Sequence, residues 1–249
     1  MPTTAAHNNR EIHNRLWREL TPFIRYNRGA RHRRRILFQL ADDLPKRSVI
    51  DVGCGNGELL RLMRARYPEI QRATGADLSD AVVEQNRRAF PEFDFEVLDI
   101  EREALPQQAE LVTCAEVIEH LDTRETAFAH LAAMVAPGGA LIVTCPTGKV
   151  FPTEKHFGHT THPDLRELEA LGKTAGLSLD RVQNWGFPVY RLTKWLTNLN
   201  PELALRKFAV DHYGPAQVFV SGALYVANFL NVPSSSHGCQ LFARYRKPR

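Results

Sequence analysis

Between the apolar run Ser48-Val49-Ile50 and a helical pattern that starts at Glu58, the chain reads Asp51-Val52-Gly53-Cys54-Gly55-Asn56-Gly57, with three glycines at alternate positions behind a carboxylate. A buried strand that turns through glycine into a helix puts the turn at the carboxyl edge of a parallel sheet, where open α/β folds bind ligands. Glycine suits such a turn because it accepts positive φ and lets another molecule approach the backbone closely. The register discriminates between ligands. A dinucleotide fold uses G-x-G-x-x-G, whose third glycine would fall at position 58; Glu58 stands there, and its carboxylate would repel a pyrophosphate.

Further strands follow in order. Ala73-Thr74-Gly75-Ala76-Asp77-Leu78-Ser79 is a short apolar strand ending in an acid 26 residues after Asp51, and Asp80 opens a helix. In a doubly wound fold an acid at that strand tip accepts both hydroxyls of a ribose; the structural alternative is a turn or helix-capping aspartate. Phe93 to Leu98 reads as a third strand ending at Asp99-Ile100. Glu110 to Ala115 reads as a fourth, leading into Glu116-Val117-Ile118-Glu119-His120-Leu121. A helix from about Thr123 to Met134, then Ala136-Pro137-Gly138-Gly139-Ala140 and an apolar fifth strand, Leu141 to Thr144, complete the series.

The D-x-G-x-G-x-G of the loop, the acids Asp77 and Asp99, and the L-x-x-x-x-x-P-G-G-x-L-x-V form at Leu131 to Val143 stand in one order. In these motifs, from roughly Ser48 to Leu179, the chain resembles the class I S-adenosylmethionine-dependent methyltransferases. The resemblance implies an α/β, Rossmann-like, seven-stranded, mostly parallel sheet with helices on both faces. It implies S-adenosyl-L-methionine as cofactor, with Asp51, Gly53, Cys54, Gly55 and Gly57 forming the loop around it. It gives Asp77 to the ribose, Asp99 to the adenine amino group and Ile100 to the adenine ring, and adds Leu78, Cys114 and Glu116 to the cofactor-binding residues.

Charge is uneven. Residues 1 to 47 carry eleven Lys or Arg against four Asp or Glu, whereas the whole chain nets only +4. The densest part holds Arg25, Arg28, Arg31, Arg33, Arg34 and Arg35 around Tyr26 and His32, a composition that suits phosphate or nucleic acid. The alternative is a helix ahead of the first strand that lends one or two arginines to the cofactor's carboxylate. Pro2 to Asn9 reads as a disordered tail. Cys54, Cys114, Cys145 and Cys239 lie far apart with no C-x-x-C, so no zinc or disulfide framework is expected. With no apolar run of about 18 residues and no signal-peptide order at the N-terminus, the expectation is a cytoplasmic protein without a membrane span.

Past the fifth strand, Phe151 to His159 reads as a loop, Pro163 to Thr174 as a helix, and Leu177 to Gln183 as a sixth strand. The seventh, Gly238 to Tyr245, comes only after an insertion with helical spacing over Pro188 to Phe208 and Ala216 to Leu230. The chain then divides into an N-terminal basic helical segment (1–47), a methyltransferase core (48–184), a helical cap insertion (185–235) and the last core strand (236–249). A cap at the carboxyl edge of a sheet reads as a lid or specificity wall; the alternative is a homodimerisation element or an added packing layer.

Glu116, Glu119 and His120 form E-x-x-E-H, which on one helical turn points all three side chains into one crevice. It is similar to a motif of two metal-using subfamilies, the ubiquinone-biosynthesis O-methyltransferases and the enzymes that methylate the 3′-terminal ribose of small RNAs. That similarity implies a site for Mg²⁺, Mn²⁺ or Zn²⁺ made by Glu116, Glu119, His120 and a later histidine, His156 first and His159 second. Metal-free members of the family have an acid and a histidine here too, which implies that His120 either packs beside the methionine moiety or acts as the base; His120 with Glu119 is the expected catalytic pair. The leading expectation is methyl transfer to a hydroxyl or amine of a small-molecule acceptor, giving S-adenosylhomocysteine. A metal-dependent RNA ribose methyltransferase and a catalytically silent cofactor-binding scaffold are the alternatives.

Overall fold

A computed structural model describes residues 26–208, 210 and 212–249. Pro2 to Asn9 and Arg25 lie outside the described residues. Among the described residues, helix α1 (Arg28–Ala41) starts where the Asn27 side chain accepts the Ala30 N–H at 3.0 Å. Then come β1 (Ser48–Val52), α2 (Glu58–Arg66), β2 (Arg72–Asp77), α3 (Asp80–Ala89), β3 (Asp94–Val97) and β4 (Ala109–Ala115). A short 3₁₀ turn (Ile118–His120) leads to α4 (Arg124–Met134), which runs straight into β5 (Val135–Pro146). The remaining elements are α5 (Pro152–His156), α6 (Leu165–Thr174), β6 (Ser178–Trp185), α7 (Val189–Thr197), α8 (Pro201–Phe208), α9 (Pro215–Ala227), a 3₁₀ turn (Asn228–Leu230) and β7 (Gln240–Arg246).

The seven strands form one sheet in the order β3-β2-β1-β4-β5-β7-β6. β1 to β5 run parallel, and β7 is antiparallel to both β5 and β6. Strand order reverses between β1 and β4, so the crevice opens at their carboxyl ends, where the glycine loop emerges. One apolar layer packs α4 and α6 beneath the sheet through Phe128, Leu131, Leu168 and Leu171. The other packs α1 and α2 above it through Ile36, Leu37, Leu60 and Met63. Burying each such side chain stabilises the fold by about 1.5–3 kcal/mol.

Three local readings of the sequence change. Pro137-Gly138-Gly139 is a bulge inside β5: pairing with β4 jumps from Ala109↔Val135 to Leu111↔Ala140. The stretch read as a loop after β5 contains α5, nucleated by Pro152 at its first position and by the Glu154 carboxylate, which accepts the Phe151 N–H at 2.8 Å. The helical spacing read over Pro188 to Phe208 is divided between two helices, because Asn200 caps α8 through the Leu203 N–H at 3.0 Å and Pro201 has no N–H to continue α7.

Helix α1 lies against α9 rather than in solvent. His32, fully buried, stacks on Trp185 at 5.2 Å and shares a 2.8 Å hydrogen bond with the Tyr225 carbonyl. The Arg31 guanidinium sits 3.7 Å from the Tyr225 ring centroid and that of Arg35 4.9 Å from Phe229. Arg244 on β7, 2% exposed, ties the end of α1 to the antiparallel edge by pairing with Asp43 and Asp180 and donating to the Leu40 carbonyl at 2.9 Å. Among the described residues, no helix is long and apolar enough to cross a membrane.

Candidate active site

The glycine loop is fixed by hydrogen bonds from below. Gly53 and Cys54 donate to the Ala76 carbonyl at 2.8 and 3.0 Å, joining the tips of β1 and β2. Gly53 has φ +73, and a Cβ there would come within 2.2 Å of the Val117 Cγ2, so a side chain is excluded both by backbone conformation and by space. The Asn86 amide, buried on α3, donates to the Gly55 carbonyl at 2.6 Å. Asp77 closes the arrangement: one carboxylate oxygen accepts the Gly55 N–H at 2.9 Å and the other the Ser79 N–H at 3.0 Å.

Above this loop lies a cavity of about 250 Å³. Of the candidate residues, Asp51, Gly53, Cys54, Asp77, Leu78, Asp99, Ile100, Glu116 and His120 line it. Gly55 and Gly57 do not; their N–H groups are used within the loop, by Asp77 and by the Cys54 carbonyl. Cys114 does not either, because strand alternation turns its side chain into the core and presents Ala115 to the cavity. Arg33 and Arg34 of α1 form part of the wall, as do Thr144 and Val117.

Asp51, 2% exposed, accepts the Thr113 hydroxyl at 2.6 Å, and its carboxyl is pushed up to about 7 by burial, with Asp77 adding repulsion. Thr113 and Asn86 were not singled out from the sequence. A threonine in mid-strand and an asparagine in mid-helix carry no local signal that they face a ligand loop.

The E-x-x-E-H residues diverge. Glu116 adopts φ +60, the one positive φ outside glycine among the described residues, so it cannot share a helical turn with Ile118–His120. Its carboxylate accepts the Thr144 hydroxyl at 2.9 Å and the Gln240 amide at 2.6 Å, and pairs with Arg33 at 3.2 Å. Glu119 is fully buried and lines neither cavity. Neither of its carboxylate oxygens has a hydrogen-bond partner, and burial beside Glu116 holds the acid well above the usual carboxylate range.

The His120 ring centroid lies 4.7 Å from that of His159. His159 approaches His162 with Nδ1 3.0 Å from Nε2, and burial with neighbouring positive charge drops its pKa to about 2. Donor atoms of Glu119, His120 and His159 lie within 4.8 Å of one another, as do those of Glu154, His159 and His162. His156 belongs to neither group; it ends α5, exposed, against Phe157. The histidine brought to the E-x-x-E-H turn is therefore His159, and Glu116 is occupied elsewhere.

A second cavity, about 530 Å³, lies between α1, α5 and the helices α7 to α9. Arg33 and Glu116 line both cavities, so their ion pair forms the partition. The larger cavity is walled by Tyr190, Leu196, Phe208, Tyr213 and Leu224, with Arg28, Glu154, His159 and Lys194 as its other ionisable groups. Lys194 pairs with Glu154 at 2.6 Å. The basic helix thus spends its arginines on this interior: Arg28 on the larger cavity, Arg33 on the partition, Arg34 on the smaller cavity, Arg31 and Arg35 on aromatic rings.

Residues 23–206 match the family model described as a methyltransferase domain. The chain is 37% identical over 98 residues to trans-aconitate 2-methyltransferase of Klebsiella pneumoniae, covering 39% of this chain and 38% of that protein. It is 33% identical over 140 residues to the Rhizobium meliloti protein of the same name, covering 56% and 54%. The matched segment thus spans about half, or less, of the length of these curated relatives. The N-methyltransferase NodS from Bradyrhizobium japonicum, solved with S-adenosylhomocysteine, shares the fold at TM-score 0.54 and 17% identity, over 90% of this chain and 89% of that one.

Proposed function

The chain belongs to the methyltransferase-domain family, and from that premise we propose that it transfers a methyl group from S-adenosylmethionine to a hydroxyl or amine of a small molecule held in the larger cavity. The observation that carries this reading is the junction of the two cavities at Arg33 and Glu116. One cavity has the acids and glycine loop suited to the donor; the other is large and mostly apolar, as small-molecule sites are. The donor fits the chain's own groups: Asp77 and Asp99 offer acceptors for hydroxyl and amino groups, Leu78 and Ile100 apolar surface, and Asp51 a carboxylate for a cation.

When bound, S-adenosylmethionine supplies a methyl on a cationic sulfur that leaves with the C–S electron pair as the acceptor's lone pair forms the new bond to carbon. The protein's part is mainly alignment, which can supply roughly 7–11 kcal/mol of a barrier. Gly53 lets the backbone approach the donor, and the partition fixes the acceptor's side. His120 lines the smaller cavity and its ring centroid lies 4.7 Å from that of His159, which lines the larger one; His120 is the group we assign to draw off a hydroxyl proton. Glu119 is sealed from both cavities and is not placed to touch the acceptor.

A metal-assisted version of the same reaction has one specific observation in its favour. The unpartnered carboxylate of Glu119, fully buried beside His120 and His159, is a donor set that suits a divalent ion. These three residues would hold it, and it would supply Lewis acidity toward an acceptor oxygen. The RNA reading loses its basis in the basic helix, whose described arginines face the interior or aromatic rings.

Calorimetry with S-adenosylhomocysteine tests the donor assignment, and transfer of labelled methyl to a library of small hydroxyl and amine compounds tests the reaction. A protein that binds no S-adenosylhomocysteine refutes the reading. Binding without transfer to any acceptor favours a silent scaffold.

A further inference from the structure

The larger cavity contains a charge that no carboxylate among the described residues balances. Arg33 is matched by Glu116 at 3.2 Å and Lys194 by Glu154 at 2.6 Å. Arg28, on the first turn of α1, lines the same cavity and makes no ion pair among the described residues. Its Nε is buried without a hydrogen-bond partner. The groups that act on its charge are the phenols of Tyr190 and Tyr213, with no carboxylate among them, and the guanidinium lies 6.0 Å from the Tyr190 ring centroid.

A buried cation without a partner opposes folding, because the charge loses its hydration and gains nothing in exchange. A guanidinium stays charged in any protein environment, so the imbalance cannot be relieved by losing a proton. A ligand can relieve it. The planar fork of the guanidinium matches a carboxylate through two parallel hydrogen bonds. With the other two cations already matched one to one, the cavity is short of one negative charge, which fits a monoanion better than a doubly charged phosphate ester.

We propose that the larger cavity binds a carboxylate-bearing acceptor, its carboxylate on Arg28 and its methyl-accepting atom at the Arg33–Glu116 partition. The inference rests on the methyl-transfer reading and adds the acceptor's chemical class. The carboxylate here is the anchor, remote from the reacting atom. Tyr190, Phe208 and Tyr213 around it supply an apolar wall for the body of the acceptor.

The test is calorimetry on the full chain, saturated with S-adenosylhomocysteine, using acetate, benzoate and phenylacetate, each beside its neutral amide, and phenyl phosphate. The expected result is that at least one carboxylate binds at least tenfold more tightly than its amide and than phenyl phosphate. Arg28→Gln should erase that preference, Arg28→Lys should restore part of it, and both should keep the affinity for S-adenosylhomocysteine, since Arg28 does not line the donor cavity. Equal binding of carboxylate and amide, no binding by any carboxylate, tighter binding of phenyl phosphate, or an unchanged preference in Arg28→Gln would each overturn the proposal. The wild-type comparison stands even if a variant fails to fold. Failure to bind S-adenosylhomocysteine at all would instead sink the methyl-transfer reading.

Discussion

Asp51 should make the free protein less stable as pH rises, and replacing it with asparagine should remove that dependence. The carboxyl is pushed from its ordinary 3.8 to about 7 by burial, with Asp77 repelling the charge and the Thr113 hydroxyl partly offsetting both. Between those values the folded chain holds the proton that the unfolded chain has released. Stability from this group is therefore fully present below about pH 4 and is lost as pH rises through about 7. Three units at about 1.36 kcal/mol each give a total of about 4 kcal/mol, of which roughly 2.5 kcal/mol is lost between pH 5 and pH 8.

Asp51→Asn keeps the size and can still accept the Thr113 hydroxyl, so urea unfolding at pH 8 should find it more stable than wild type by about 1–3 kcal/mol, the new amide N–H₂ costing part of the gain. At pH 5 the difference should shrink toward zero. The same variant should bind S-adenosylhomocysteine, which carries an ammonium, roughly tenfold or more weakly at pH 8, because the charge that destabilises the empty loop is the one that attracts the ligand. Parallel stability curves for the two proteins from pH 5 to pH 8 would refute the reasoning, as would unchanged ligand affinity.

Asp77→Ala frees the Gly55 and Ser79 N–H groups and removes a pair of acceptors from the donor cavity, so calorimetry should show S-adenosylhomocysteine binding weakened by about 10- to 100-fold; unchanged affinity would remove the ribose assignment. Gly53→Ala should lower stability by at least about 1–2 kcal/mol from positive φ alone, with more from the Val117 contact. Combining it with Val117→Ala should recover the steric part and leave the backbone part, which thermal melts of the single and double variants separate. His120→Ala should reduce turnover far more than cofactor affinity. If the Glu119–His120–His159 group holds a metal, mild purification should retain an ion that Glu119→Gln loses, and a chelator should stop transfer; full activity in chelator refutes that version.

Helix α1 shows where the sequence misleads about environment while revealing the element. Its arginines stand out as a charge cluster, and a cluster of cations in sequence reads as a solvated or nucleic-acid face. Packing against α9 gives each described arginine a separate destination, because successive positions on a helix point about 100° apart and here meet a cavity, an ion pair or an aromatic ring. Likewise Glu116, Glu119 and His120 are adjacent in the sequence, yet the left-handed backbone at Glu116 and the 3₁₀ turn after it send the two carboxylates to different surroundings. The choice of His159 over His156 depends on α5, whose short helix turns His156 outward.

The succession of strands along the chain and most residues that line the smaller cavity could be read from the sequence itself, since they rest on local chemistry: glycine where φ is positive, acids at strand tips, apolar runs between them. Those constraints act within a few residues and leave their mark in spacing. The partition between the cavities, the unmatched Arg28 and the buried Glu119 join segments as far apart as α1, the end of β4, α5 and α7. Distance in the chain carries no record of such meetings, so only the packed structure decides which charges are matched, which are sealed away and which are left for a ligand.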